Sequence, residues 1–145
     1  MSKGKPADPQ QPENAQDEDA IAFAQGIFDL ARNGGATLLA PLLEAGVPVD
    51  MRTSDGETLL MLATRHGHPE TVRLLLAQGA NPDQADSQQQ TPLMHAAMAD
   101  RVDLLDQLVA AGASPGLTDA DGHTALDLAR NSQATETTRR LESLM

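Results

Sequence analysis

Between residues 58 and 79 the apolar positions form two short helical patterns. Leu60, Leu62 and Ala63 share one face of a first segment. Val72, Leu75 and Leu76 follow i, i+3, i+4 spacing in a second. Small and polar residues punctuate both. Thr58 is placed to N-cap the first helix, its hydroxyl accepting from an orphan amide of the first turn. Gly67 can adopt the left-handed conformation that ends this helix. Pro69 suits the first position of the second helix, where a missing N–H is no loss, and Gly79 stops it. The segment from Ala80 to Gln90 is turn-rich. The predicted unit is helix, turn, helix, projecting loop.

This unit recurs. Thr58-Leu-Leu-Met-Leu-Ala63 reappears as Thr91-Pro-Leu-Met-His-Ala96 and as Thr124-Ala-Leu-Asp-Leu-Ala129, each 33 residues on. Gly46, Gly79 and Gly112 share that step, as do Gly34 and Gly67, and Asp55-Gly56 with Asp121-Gly122. A fixed period of this length signals stacked supersecondary units. The flanking units depart from the pattern. The first opens with AFAQGIFDLARNGG, and the last carries Thr137, Thr138 and Glu142 where the preceding unit has Leu104, Leu105 and Val109. Such polar residues are expected on a terminal repeat with solvent on one side. Asp100 and Gln133 stand at the Gly67 position and are expected to be strained. Pro41 falls inside the predicted second helix of the first unit, which implies a kink or a helix start near Thr37. Residues 1–19, rich in Pro, Gln, Asp and Glu, are expected to form a disordered acidic tail.

The period, with TPLMHAA at 91–97 and GHPETVRLLLAQGANP at 67–82, resembles the ankyrin repeat family over roughly residues 20–145. The resemblance implies an all-α solenoid of about four helix-turn-helix units, at about 20–52, 53–85, 86–118 and 119–145, with β-turn fingers on one side.

Composition narrows the functional classes. Phe23 and Phe28 are the only aromatic residues, so the core must be built from Leu, Ala, Val and Met. The chain has 21 acidic and 10 basic residues, a formal net charge of −11. That balance argues against nucleic acid or an anionic membrane as partner, since phosphate binding relies on clustered Lys and Arg. The absence of cysteine excludes disulfides and thiol chemistry. No stretch approaches the roughly 18 apolar residues of a membrane span, and the N-terminus lacks a signal-peptide core. A cytoplasmic location is expected.

The histidines are the most tempting candidates for chemistry. His66 and His68 flank a predicted helix end with no third ligand nearby, and the resemblance makes His68 a structural residue bonded to neighbouring backbone. His95 takes the position of Leu62 and Leu128. It is expected to be half-buried with one ring nitrogen satisfied, the alternative being a polar or pH-sensitive contact facing a ligand. His123 is expected to be solvated. The serines have no base placed by any motif. Asp55, Asp86, Asp119 and Asp121 recur at finger tips, where turn formation explains them better than acid–base work. No catalytic residue, cofactor or metal is expected.

The resemblance implies a protein-interaction module that binds a partner protein through finger tips and exposed ends of the first helices. Carried over position by position, the candidate contacts are Ser54, Asp55, Glu57, Arg65 and His66 in the second repeat. The third contributes Ser87, Gln88, Gln90, Met98 and Ala99, and the fourth Ala120, Asp121, His123 and Asn131. Met61, Met94 and Met98 add adaptable apolar contact or, for the first two, packing. The acidic balance favours a partner with a basic face, and the chain itself is expected to be monomeric. Narrower alternatives are an immunity or anti-toxin protein occluding a basic toxin, and an accessory protein that steadies an enzyme.

Overall fold

The computed structural model describes residues 15–144. Eight helices lie among them, in four pairs: α1 (Ala15–Asn33) with α2 (Ala36–Glu44), α3 (Leu59–Arg65) with α4 (Pro69–Ala77), α5 (Pro92–Met98) with α6 (Val102–Ala110), and α7 (Ala125–Asn131) with α8 (Thr135–Ser143). No strand forms among the described residues, where one isolated antiparallel bridge joins Arg52 and Thr58. The odd-numbered helices stack on one another as an inner row, and the even-numbered helices stack as an outer row.

Threonine starts three of the inner helices. The hydroxyls of Thr58, Thr91 and Thr124 accept from the amides of Met61, Met94 and Asp127 at 3.1, 3.3 and 3.2 Å. Each inner helix then ends in a turn whose next residue has positive φ: Gly34, Gly67, Asp100 and Gln133, at 79°, 79°, 57° and 59°. The amides of His68, Arg101 and Ala134 reach back to the carbonyls of Ala63, Ala96 and Ala129, the six-to-one closure of a Schellman turn. The expected left-handed Asp100 and Gln133 are therefore present. Glycine suits the two earlier turns by φ, and at Gly34 by space as well, whereas over Gly67 the close atom is the tip of a flexible arginine. A Cβ at Gly34 would lie 2.6 Å from His68 Nδ1, and one at Gly67 would lie 2.6 Å from an Arg101 guanidinium nitrogen.

The core is a column of aliphatic side chains running through all four pairs. It includes Leu39, Leu60, Leu62, Val72, Leu75, Leu93, Leu104, Leu108, Ala129 and Leu141, all fully buried. Outside the helices, aspartates link successive repeats. Asp50 Oδ1 accepts from the Asn81 amide at 3.0 Å, and one repeat later Asp83 Oδ1 accepts from the Ser114 amide at 2.8 Å.

Two expectations need correction. The boundary at residue 19 is too late, because α1 begins at Ala15; the rest of the expected tail, residues 1–14, lies outside the described residues. Thr137 is not a solvent-facing cap substitution: it is fully buried, and its hydroxyl donates to the Ala97 carbonyl at 2.7 Å. For Pro41, the expected helix start near Thr37 is found within one residue, at Ala36. The helix α2 opens at Ala36, 33 residues before α4 opens at Pro69, and carries the proline in its interior. Only the Thr37 carbonyl loses a helical donor.

Candidate functional site

Each finger is a tight turn closed by one side-chain oxygen. Thr53 Oγ1 accepts from the amides of Asp55 and Glu57. At the next two steps Asp86 Oδ1 accepts from Gln88 and Gln90, and Asp119 Oδ1 from Asp121 and His123, at 2.9 to 3.0 Å. The Asp119 carboxyl is held below its ordinary pKa chiefly by the His123 amide, against an opposing cost of burial. The turn also needs a positive φ three residues on, met by Gly56, Gln89 and Gly122. Gln89 was not singled out from the sequence, although the 33-residue step from Gly56 and Gly122 points to it.

The fingers are tied to one another. The Ser87 amide donates to the Asp55 carbonyl, and the Ala120 amide to the Gln88 carbonyl, both at 3.0 Å. Three successive tips are thus held at fixed spacing by main-chain bonds that carry no side-chain preference. The side chains at these tips are free to vary without loosening the row.

Between the fingers of the second and third repeats lies a cavity of about 370 Å³, lined by Asp55, Glu57, Arg65, Asp86, Ser87, Gln88, Gln90 and His95. It gathers six of the expected contact residues. Arg65 pairs with Glu57 across its wall. Two lining residues were not among the carried-over contacts: Asp86, read only as a turn former, and His95, read as a half-buried framework residue with a polar or pH-sensitive contact facing a ligand as the alternative. The His95 side chain is 10% exposed, and its Nε2 lies 3.8 Å from Asp86 Oδ2. That is too long for a hydrogen bond, and Nε2 has no partner. Burial therefore dominates over the attraction of Asp86 and pushes the imidazole below its ordinary pKa of 6.5, with Arg65 adding to the shift. His95 is neutral at neutral pH.

The remaining candidates lie elsewhere on the same side of the stack. Ser54 lines an adjoining cavity that shares Asp55 and Glu57 with the first and adds Ile21, Phe28 and Arg32 of α1. His66 caps the end of α3 and is exposed, its pKa lowered by burial and by Arg65. Ala99, Ala120, Asp121 and Asn131 are exposed, whereas Met98 and His123 are half-buried, Met98 against the core. Met61 and Met94 are wholly buried, so both are packing residues. His68 is structural, with Nε2 2.8 Å from the Arg32 carbonyl of the preceding repeat.

Asp119, Asp121 and His123 bring one ligand atom each within 4.8 Å of one another. The sequence reading did not group them. The turn itself sets this i, i+2, i+4 cluster, and Asp119 Oδ1 is already engaged by two amides.

A stack of helix pairs with tethered fingers along one edge defines an α-solenoid of short repeats. A sequence profile described as ankyrin repeats, in three copies, matches residues 27–119, more than half of the chain. The chain belongs to the ankyrin repeat family, whose members serve in general as protein–protein interaction modules. A Pseudomonas aeruginosa chain described as an ankyrin repeat protein is 47% identical over 58 residues, covering 40% of this chain and 34% of that relative. The match thus spans about a third of the relative's length. The fourth pair, α7 and α8, extends the fold beyond the matched residues. No helix among the described residues is long and apolar enough to cross a membrane.

Proposed function

We propose that this chain is a binding protein, not an enzyme, and that it holds a partner protein against its fingers and inner-helix ends. One observation carries the reading: equivalent positions diverge on this face and are conserved in kind at the helix contacts. Arg65, Met98 and Asn131 are equivalent at the 33-residue step, as are Glu57, Gln90 and His123, and all six are exposed or half-buried. At the outer-helix contact the same step gives Leu75, Leu108 and Leu141, each fully buried. Packing keeps equivalent positions alike, whereas an asymmetric partner requires different side chains at each. The net charge of −11 favours a partner with a basic face, chiefly by speeding encounter.

The test compares two variants against a partner recovered by cross-linking. Changing Asp55, Arg65 and Asp121 together to alanine should weaken binding at least about tenfold, or about 1.4 kcal/mol. Changing Arg73 and Asp106 on the outer helices should leave affinity close to wild type. Loss of binding in the outer pair, with the triple variant intact, overturns the reading.

A further inference from the structure

The cavity between the second and third fingers holds two features that the fold does not use. Asp86 Oδ1 is engaged by the Gln88 and Gln90 amides, but among the described residues no donor lies within hydrogen-bond distance of Oδ2. Behind it, 3.8 Å away, is the unpartnered Nε2 of His95, on a side chain nine-tenths buried. Buried polar atoms are satisfied in roughly 90% or more of cases, so the buried idle imidazole nitrogen, an acceptor in the Nδ1–H tautomer, calls for a donor, and the carboxylate oxygen beside it is open to the same one. The adjacent repeats fill this position with leucine, Leu62 and Leu128, which shows that stacking does not require a polar group there.

The charges define which donor fits. The lining carries three carboxylates, Asp55, Glu57 and Asp86, and one guanidinium, Arg65, which is already paired with Glu57. With His95 uncharged, the excess is two negative charges. At 370 Å³ the cavity falls at the small end of the ~300–1,000 Å³ usual for ligand pockets, which suits one side chain and not a folded element. We propose that this cavity receives a single arginine side chain of the partner protein, its guanidinium donating to Asp86 Oδ2 and His95 Nε2 and facing Asp55. Arginine is favoured over lysine because its planar group presents several donors at once and is more weakly hydrated than an ammonium. The proposal rests on the finger face being the binding face, and it adds the chemistry of one contact.

The experiment needs no partner. The full chain, labelled with ¹⁵N, is titrated with N-acetyl-arginine methylamide and, separately, with the lysine and citrulline derivatives. The arginine derivative should give saturable shifts at the Ser87, Gln88 and Gln90 amides and the His95 ring, with the lysine derivative weaker and the uncharged citrulline derivative inactive. Asp55→Asn and Glu57→Gln, whose folding is read from the same spectra, should weaken the arginine titration at least about tenfold in combination. Equal shifts from citrulline, shifts that never saturate, tighter binding of lysine, or a folded double variant that titrates like the wild type each overturn the proposal. If the titration fails while the Asp55, Arg65 and Asp121 variant still loses the partner, the arginine pocket falls and the finger-face reading stands.

Discussion

Asp100 caps a helix that belongs to the next repeat: its Oδ1 accepts from the Thr137 amide at 2.9 Å. Thr137 is the third residue of α8, and the N-cap of that helix, Ala134, has no side chain able to bond the first-turn amides. In the two earlier repeats the equivalent of Ala134 is His68 or Arg101, each packed over a glycine turn. The small Ala134 leaves that space to the Asp100 carboxylate, which takes both the free amide and the positive end of the α8 dipole.

Asp100→Gly therefore should not stabilise the protein, although it relieves a φ of 57°. Relief of a left-handed non-glycine residue is worth about 0.5–1 kcal/mol, and loss of a capping side chain costs about 0.5–2 kcal/mol. A small net loss of about 0.5 kcal/mol, the difference between the centres of these two ranges, is expected in urea titrations, with Asp100→Asn closer to wild type because an amide oxygen can still accept. A clear gain in Asp100→Gly would mean that the Thr137 bond contributes nothing.

Leu75→Ala should cost about 2–5 kcal/mol, the range for a leucine removed from a packed core. Leu141 lies in the last repeat, yet it is as fully buried as Leu75. Its replacement by alanine is expected to fall in the same range, checked by urea denaturation of both variants side by side.

His95→Leu should stabilise the protein, by about 1–3 kcal/mol for removal of an unsatisfied buried polar group, and should flatten its pH dependence. The folded-state pKa of His95 lies below 6.5, through burial, then Asp86 in opposition, then Arg65. The unfolded chain therefore binds the proton first on acidification. Wild-type stability is fully present above pH 6.5 and declines as pH falls toward the folded pKa. Thermal melts of the two proteins should diverge across that window, and parallel curves would show that His95 does not titrate differently in the two states.

Removing divalent metal with a chelator should leave helical circular dichroism and Tm unchanged. The cluster of Asp119, Asp121 and His123 is held by main-chain amides bonded to Asp119, so its geometry does not depend on an ion. A fall in Tm of several degrees on dialysis against chelator would assign that finger a structural cation.

The helix pairs were legible in the sequence because their signals are short-range. A threonine reaches an amide three residues on, a glycine turns the chain where it stands, and leucines at helical spacing mark the buried face. Repetition at 33 residues multiplied each signal and extended it to the fourth pair. The start of α1 at Ala15 was not legible, since residues 15–19 (AQDED) are polar and lack the apolar spacing used to recognise the other helices.

The contacts between repeats were decided elsewhere. Thr137 looked like a polar residue turned to solvent, and it is buried against Ala97 and Asp100, which lie 40 and 37 positions earlier in the chain. Asp86 looked like a turn former and His95 like a half-buried framework substitution or a ligand-facing contact, and stacking of the second repeat against the third sets them around one cavity with Asp55 and Arg65. A side chain's local pattern specifies which way it leaves its own helix or turn. What it meets there depends on the neighbouring repeat, whose distance and rotation are set by packing of the whole aliphatic column.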